Sequence, residues 1–378
     1  MNRMAQQWKM GTLEIKNSLV RSATDETLST EEGAPTQRLV DATIELATGG
    51  VGLIIAGTAY ISREGRWGKN GTGMDNDRLI TPLSELCNAA HKAGGTYAAQ
   101  LLHCGSTINP AILHEKEALF GPSAMIDPVL GHPVVELGHD HILRIIDDYA
   151  AAASRVKQAG FDAVQIHAAH GYLINQFLSP SRNLRKDQYG GPLEHRALFL
   201  YHVYEAIRGA VGKEFPVFIK MSAYDGFAGG VEPEEAAQVA AALDTMGIAA
   251  IEVSAGTPEG RAKGGWDHII AAPFKEGSLL KYALQIKAKV HCPVISVEGW
   301  RDPLKIINAL EKIDAVSMSR PFIREPNLAN RWLSGNLSPA LCISCNKCLD
   351  LTVKSGLGCI FHQHDKNVRD SEKYKSPK

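Results

Sequence analysis

"FDAVQIHAAHGYLINQFLSPSRNLRKDQYGG" spans residues 161–191, and its opening decides the fold. "DAVQIHA" (162–168) is apolar at most positions rather than strictly alternating, the pattern of a strand covered on both faces of a parallel sheet. Polar groups crowd its end: His167, His170 and, after Gly171, Tyr172. Similar runs precede it at "SLVRSA" (18–23), "VGLIIAGTA" (51–59) and "TYAAQLL" (96–102). Four more follow at "PVFIKMS" (216–222), "AAIEVSA" (249–255), "PVISVEG" (293–299) and "DAVSMSR" (314–320). Between them lie amphipathic segments. In "HILRIIDDYAAAASRVKQAG", Ile142, Ile145, Ile146, Tyr149, Ala152 and Val156 form one apolar stripe. "PEEAAQVAAALDTMG" begins with Pro233 and ends at Gly247, as a helix does.

Strands alternating with helices in this way predict a (β/α)8 TIM barrel with a short cysteine-rich C-terminal extension. A doubly wound sheet would want a GxGxxG turn after the first strand, and the sequence has none. The expected divisions are a barrel over 1–335, a cysteine-rich extension over 336–364 and a charged, disordered tail over 365–378. Long segments at 105–140 and 173–195 belong on the C-terminal face of the barrel, where catalytic loops gather.

Composition narrows the function. The chain has 378 residues, 44% of them hydrophobic, with 40 Lys+Arg against 41 Asp+Glu. So balanced a charge offers no field for nucleic acid or for an anionic membrane. The N-terminus lacks a signal-peptide core, and no run is long enough to span a bilayer. A cytoplasmic protein is expected, and a homo-oligomer is compatible with the sequence.

Polar residues at strand ends need a reason, because a barrel interior is normally filled with branched apolar side chains. Gln100 and His103, His167 and His170, Lys220 and Ser222, and Ser319 and Arg320 all sit at such ends. Together they would form one polar mouth. The turns after strands seven and eight, "VEGW" and "MSRPF", suit a phosphate, with Gly299 admitting close backbone approach and Arg320 pairing with the anion. Lys220 needs a partner: a phosphate, an anionic ring or Asp225. "HAAHGY" stays open among metal binding, acid–base chemistry and packing. A zinc pair usually has i,i+4 spacing on a helix plus a third ligand; here the spacing is three, no glutamate lies between, and the pair follows a strand.

The composite stretch at 167–191, with "KNSLVRSATDE" (16–26) and "SRPFIREP" (319–326), resembles the Old Yellow Enzyme family of flavin oxidoreductases, in the branch of 2,4-dienoyl-CoA reductase and trimethylamine dehydrogenase. The likeness runs from about Lys16 to Arg324. It implies an FMN-containing barrel. By this resemblance Ser22, Ala23, Thr24 and Asp25 lie along the flavin, and Gly57 packs on the ring. Gln100 bonds the pyrimidine edge, Lys220 stands near N1 and O2, and Gly299, Ser319 and Arg320 cradle the phosphate. It further implies that His167 and His170 bind the electron-withdrawing oxygen of a small-molecule substrate, and that Tyr172 donates a proton. NAD(P)H or a redox protein reduces FMN. Hydride from flavin N5 then reaches the β-carbon of an activated alkene. The sequence departs from the family at Asp25, Thr27 and Ser106, where Thr or Cys, an aromatic and Arg are common. Three rival functions remain: an amine dehydrogenase or demethylase, a metal-dependent barrel aldolase or hydrolase using "HAAH", and an electron-transfer partner in which the tail mediates assembly.

Cys342, Cys345, Cys348 and Cys359 follow a C-x2-C-x2-C-x10-C pattern. In a reducing compartment such a cluster reads as metal ligands before disulfides. Four thiolates suit a [4Fe–4S] cluster or zinc. Multidomain relatives resembling this chain carry a [4Fe–4S] cluster at similar cysteines, although two of their gaps are usually one residue longer. Those relatives continue into a second nucleotide-binding region. The expectation is therefore that electrons come directly from NAD(P)H or from a separate redox protein.

Overall fold

The structure, a computed structural model, describes residues 3–115, 118–267, 275–297 and 299–361. The tail expected at 365–378 and Glu298 of "VEGW" lie outside the described residues.

Eight parallel strands form a closed barrel: β1 (Leu19–Arg21), β2 (Leu53–Tyr60), β3 (Tyr97–Leu102), β4 (Ala163–Ala168), β5 (Val217–Ser222), β6 (Ile251–Ser254), β7 (Val294–Val297) and β8 (Ala315–Met318). Each pairs with its neighbours in chain order, and β8 closes onto β1. The outward residues meet the helices. The stripe Ile142, Ile145, Ile146, Tyr149, Ala152 and Val156 is buried along the helix His139–Gln158. The fold is thus the expected TIM barrel.

The inward residues stack in layers of different chemistry. The lower layer is apolar, with Val20, Ala98, Ala163, Phe218, Ile295 and Ala315 in one cluster. An N-terminal hairpin, Trp8–Met10 against Leu13–Ile15, adds Met10 and Ile15 to that cluster. The layer above is polar, contrary to a uniformly apolar interior. Register pairs Gln165 with Gln100, and Lys220 with both His167 and Glu252. Two residues further along a strand is the same face one layer higher, so a single in-facing substitution in an apolar run adds to a ring of polar groups.

The segment at 105–140 is more ordered than its Pro- and Gly-rich composition suggests. It holds a small three-stranded sheet of Leu119–Gly121, Met125–Ile126 and Pro133–Glu136, and a satellite core around Ile108, Ile112 and Val134. The C-terminal extension lies back on the barrel mouth. Its helix Lys347–Ser355 receives a hydrogen bond from Thr27 Oγ1 at Thr352 O (2.5 Å). Leu357 N donates to Glu26 O at 2.8 Å, and Arg38 Nη1 donates to Ser355 O at 2.8 Å.

Candidate active site

A cavity of about 260 Å3 opens at the C-terminal end of the barrel. Ser22, Ala23, Thr24, Asp25, Gln100, His167, His170, Tyr172, Lys220, Gly299, Ser319 and Arg320 all line it. Residues from six strands or their following loops are thereby brought together. Gly57 does not line it. A Cβ at Gly57 would collide with the Glu26 carboxylate and the Thr24 carbonyl, so glycine there lets β2 approach the β1 loop. Its neighbour Thr58 lines the cavity instead. His103 also turns away: it lies 3.6 Å from Glu64, and its Nδ1 accepts from Gly105 N.

The floor is a hydrogen-bonded chain with one anion at its centre. Glu252 is fully buried. Its Oε1 accepts from Ser22 Oγ and Ser317 Oγ, each at 2.6 Å, and Lys220 Nζ stands 3.3 Å away. Burial opposes its charge, but Lys220 and these donors hold the carboxyl below the ordinary range. Lys220 Nζ also donates to Ser22 Oγ at 2.7 Å. Glu252 Oε2 accepts from Gln165 Nε2 at 2.8 Å, so the other end of that amide, Oε1, accepts from Gln100 Nε2 at 2.6 Å. Gln100 Oε1 is thereby left buried with no partner among the described residues. A buried orphan acceptor on a cavity wall calls for a donor from whatever occupies the cavity. The N–H of a flavin pyrimidine edge is such a donor, so these residues fit FMN.

The sequence alternative of Asp225 as partner for Lys220 is corrected. Asp225 is taken by Asn175 Nδ2, Ser179 Oγ and Val231 N, all within 3.0 Å. Glu252 and Gln165 escaped the sequence reading. The signal for both was a carboxylate or amide in mid-strand, in "AAIEVSA" and "DAVQIHA".

"HAAHGY" gains its shape from backbone as much as side chain. His170 has φ +63° and Gly171 φ +77°. This left-handed pair turns the chain so that Tyr172 packs edge-on against His167, with ring centroids 4.9 Å apart. His167 Nδ1 accepts from Ala169 N at 3.3 Å, which puts the proton of a neutral ring on Nε2. His170 is braced twice: its N donates to Ser222 Oγ, and its Nε2 lies 2.7 Å from Ser254 Oγ. Burial, and then the nearby Asp25, push the Tyr172 phenol well above its usual range. The rest of the motif is scaffold. Arg182 is buried between Asp127 (2.8 Å) and Glu259 (2.6 Å), tying three mouth loops together.

Asp25 faces the cavity beside Ala23 and Thr24. Its Oδ1 accepts from Thr27 N at 3.1 Å, in a tight turn that holds Thr27 at φ +47°. Burial, with a smaller contribution from Glu26, pushes its carboxyl up to about 7. At the phosphate end, Gly299 has φ +73°, and Ser319 Oγ is 2.6 Å from Thr24 Oγ1. Arg320 reaches across to Asn346 Oδ1 of the extension.

The four cysteines come to one place, without metal-site geometry among the described residues. Cys342, Cys345, Cys348 and Cys359 border one small hollow beside Arg320 and Arg324. Yet among the described residues no three Cys, His, Asp or Glu side chains converge as a metal site. Cys345 is exposed, and burial raises the thiols of Cys342 and Cys348, which favours the protonated form over the ligating thiolate. "HAAH" likewise forms no metal site, being engaged with Ala169, Ser222 and Ser254. Among the described residues no helix is long and apolar enough to cross a membrane.

Comparison with known proteins agrees with this geometry. Residues 6–337 match the NADH:flavin oxidoreductase / NADH oxidase family. An NADH oxidase of Thermoanaerobacter brockii is 33% identical over 96% of this chain, which spans only 54% of that relative. The structure of a 2-naphthoyl-CoA reductase in complex with 2-naphthoyl-CoA superimposes with TM-score 0.88 at 26% identity, covering 94% of this chain and 56% of that one. The Old Yellow Enzyme homologue from Zymomonas mobilis does so with TM-score 0.76 at 28% identity, covering 90% of this chain and 95% of that one. The chain therefore belongs to the NADH:flavin oxidoreductase / NADH oxidase family and shares the barrel of its Old Yellow Enzyme members.

Proposed function

We propose that this chain is an FMN-dependent, NAD(P)H-linked oxidoreductase that reduces an activated C=C bond of an enone, enal, enoyl or nitroalkene compound. The observation that carries this reading is the meeting of His167, His170 and Tyr172 on one cavity with the Gln100–Gln165–Glu252–Lys220 floor. Ser22 to Thr24, Gln100 and Lys220 would hold the flavin ring, and Gly299, Ser319 and Arg320 its phosphate. FMN held there and reduced by NAD(P)H would supply the hydride. His167, with its proton on Nε2, donates to the substrate oxygen on which negative charge develops. His170, fixed by Ser254, supports that oxygen from the same side. Tyr172 delivers a proton to the adjacent carbon; burial keeps its phenol protonated across the neutral range, which suits an acid.

Asp25 favours a second reading. A carboxyl on the cavity wall is a counter-charge for a cationic substrate, which suits a flavin-dependent dehydrogenase or demethylase of amines. Two measurements separate these. NADPH oxidation driven by an α,β-unsaturated ketone supports the first; its absence, together with bleaching of the flavin by an amine, supports the second. A colourless protein without flavin absorbance sinks both.

The four cysteines around one hollow support a [4Fe–4S] cluster or zinc, formed when the thiols are drawn together by the metal. Metal and acid-labile sulfide analysis of anaerobically purified protein tests this, and an absence of both iron and zinc rejects it. With a cluster present, a redox protein is an alternative electron donor.

A further inference from the structure

The family match ends at residue 337, but the lining of the cavity does not. Asn346, Leu349 and Thr352 of the C-terminal extension also line it. Asn346 caps the helix Lys347–Ser355, and the three residues recur at a spacing of three, so they share one face of it. At one end of that face Asn346 Oδ1 accepts a hydrogen bond from Arg320, at the phosphate end of the site. At the other, Thr352 meets the loop after β1. Leu349 lies between these contacts. It lines the cavity and yet stays 37% exposed, so an apolar group laid against it is withdrawn from water. Trp67, from the loop after β2, lines the same cavity.

The helix is held there by specific contacts, and Thr27 is the clearest of them. Thr27 has φ +47°. A β-branched residue in the left-handed region is strained, and it persists only where its surroundings fix it. Two bonds fix this one. Thr27 N donates to Asp25 Oδ1 at 3.1 Å, and Thr27 Oγ1 donates to Thr352 O at 2.5 Å. Gly356, which ends the helix at φ +85°, packs so closely that a Cβ there would collide with Leu28.

We propose that this helix is the outer wall of the substrate end of the cavity, with Leu349 limiting the bulk that the substrate carries beyond its reacting group and Thr27 holding the wall in place. This rests on the reading of the cavity as a redox site in which His167, His170 and Tyr172 meet a substrate. The residues that would hold the flavin come from the barrel strands and the turns that follow them, so a substrate laid on the ring from the open side meets the extension. Leu349 is then a specificity-determining residue and Thr27 a positioning residue; neither takes part in the chemistry. Because the wall is built from residues beyond 337, the bulk this chain accepts is set outside the span that matches its family.

Equilibrium titration of the flavin-loaded full chain, followed by the flavin absorbance, tests this with two pairs of probes: cyclohexanone with 4-phenylbutan-2-one, and cyclohexylamine with 4-phenylbutan-2-amine. Each pair shares a head group and differs in bulk. In Leu349→Trp the long member is expected to lose affinity roughly tenfold or more relative to the small one. Thr27→Gly adopts the left-handed turn without strain and drops the bond to Thr352. It should shift the same ratio by roughly threefold or more and speed proteolytic loss of the extension, whereas Thr27→Ser, which keeps the hydroxyl, should match wild type. Flavin content and melting temperature check each fold, and if Leu349→Trp does not fold the Thr27 pair carries the test. An unchanged ratio in a folded Leu349→Trp, or binding of no probe by wild type, overturns the wall. So does loss of flavin retention with the ratio intact, which assigns Leu349 to the cofactor instead. Thr27→Gly behaving as wild type overturns the role of Thr27. The ratio is read within a pair, so a site that takes amines and not ketones sinks alkene reduction and leaves this result standing.

Discussion

Lys220 Nζ lies 3.3 Å from Glu252 Oε1, and both side chains are withdrawn from solvent. Each is the other's compensation. Removing one partner leaves a buried charge uncompensated, at a cost of about 3–5 kcal/mol. Glu252→Ala is expected to lose that much in urea denaturation, and to bind FMN more weakly because Gln165 and Gln100 lose the anchor that sets their amide orientation. The contribution has a sign in pH. The folded carboxyl titrates below its ordinary value of 4.5, so its stabilisation is present above that pH and is lost as pH falls through the folded value. A wild-type stability profile that matches that of Glu252→Gln down to acid pH would contradict this.

Tyr172→Phe keeps the ring packed on His167 and removes only the hydroxyl. Turnover with an unsaturated ketone is expected to drop by about 10²–10⁴-fold, while reduction of the flavin by NAD(P)H stays near its wild-type rate. Stopped-flow measurement of the two half-reactions distinguishes them. Equal losses in both would mean that the tyrosine has a structural role only.

Asp25 should impose a pH step near neutrality. Its folded carboxyl is raised from 3.8 to about 7, so the folded state favours the protonated form. Its effect on stability is most favourable below pH 3.8, declines as pH climbs, and levels off above about 7. Asp25→Asn should therefore gain on wild type across that window and run parallel beyond it. The flavin absorbance of wild type should shift with a midpoint near 7, and that of the variant should not. A shift that persists in Asp25→Asn assigns it to another group.

Arg182 links Asp127 and Glu259 with little solvent access. Arg182→Met should cost about 3–5 kcal/mol, because the buried Asp127 then loses its cation and Glu259 keeps only Lys263, 2.7 Å from its other oxygen. The accompanying change should be faster proteolysis within 105–140, measured under limited digestion. A variant as stable and as protease-resistant as wild type would show that the three loops are held by other means.

The barrel was legible because its strands are covered on both faces, and the chain cannot meet that demand without a long apolar run at each. The polar cluster of the candidate site was legible for a related reason: polar residues at the ends of such runs are costly unless used. Gly57 shows the limit. The sequence marks a small residue near the site, but only the packing of β2 on the β1 loop shows that the Glu26 carboxylate and Thr24 carbonyl require it, and that Thr58 faces the cavity. The cysteine spacing is another limit: it brings four thiols to one hollow, but it does not fix how closely they approach, and among the described residues no three ligand side chains converge as a metal site.

By itself the sequence determined the parallel barrel, its open end and the residue types gathered there, because burial periodicity and strand-end polarity are local properties of the chain. Only the tertiary structure decided the partner of Lys220, the unpartnered acceptor on Gln100 and the docking of the extension across the mouth. Those depend on which strands become neighbours when the barrel closes. Glu252 lies 32 residues from Lys220 in the chain, whereas Asp225, near in sequence, is drawn away by a different loop.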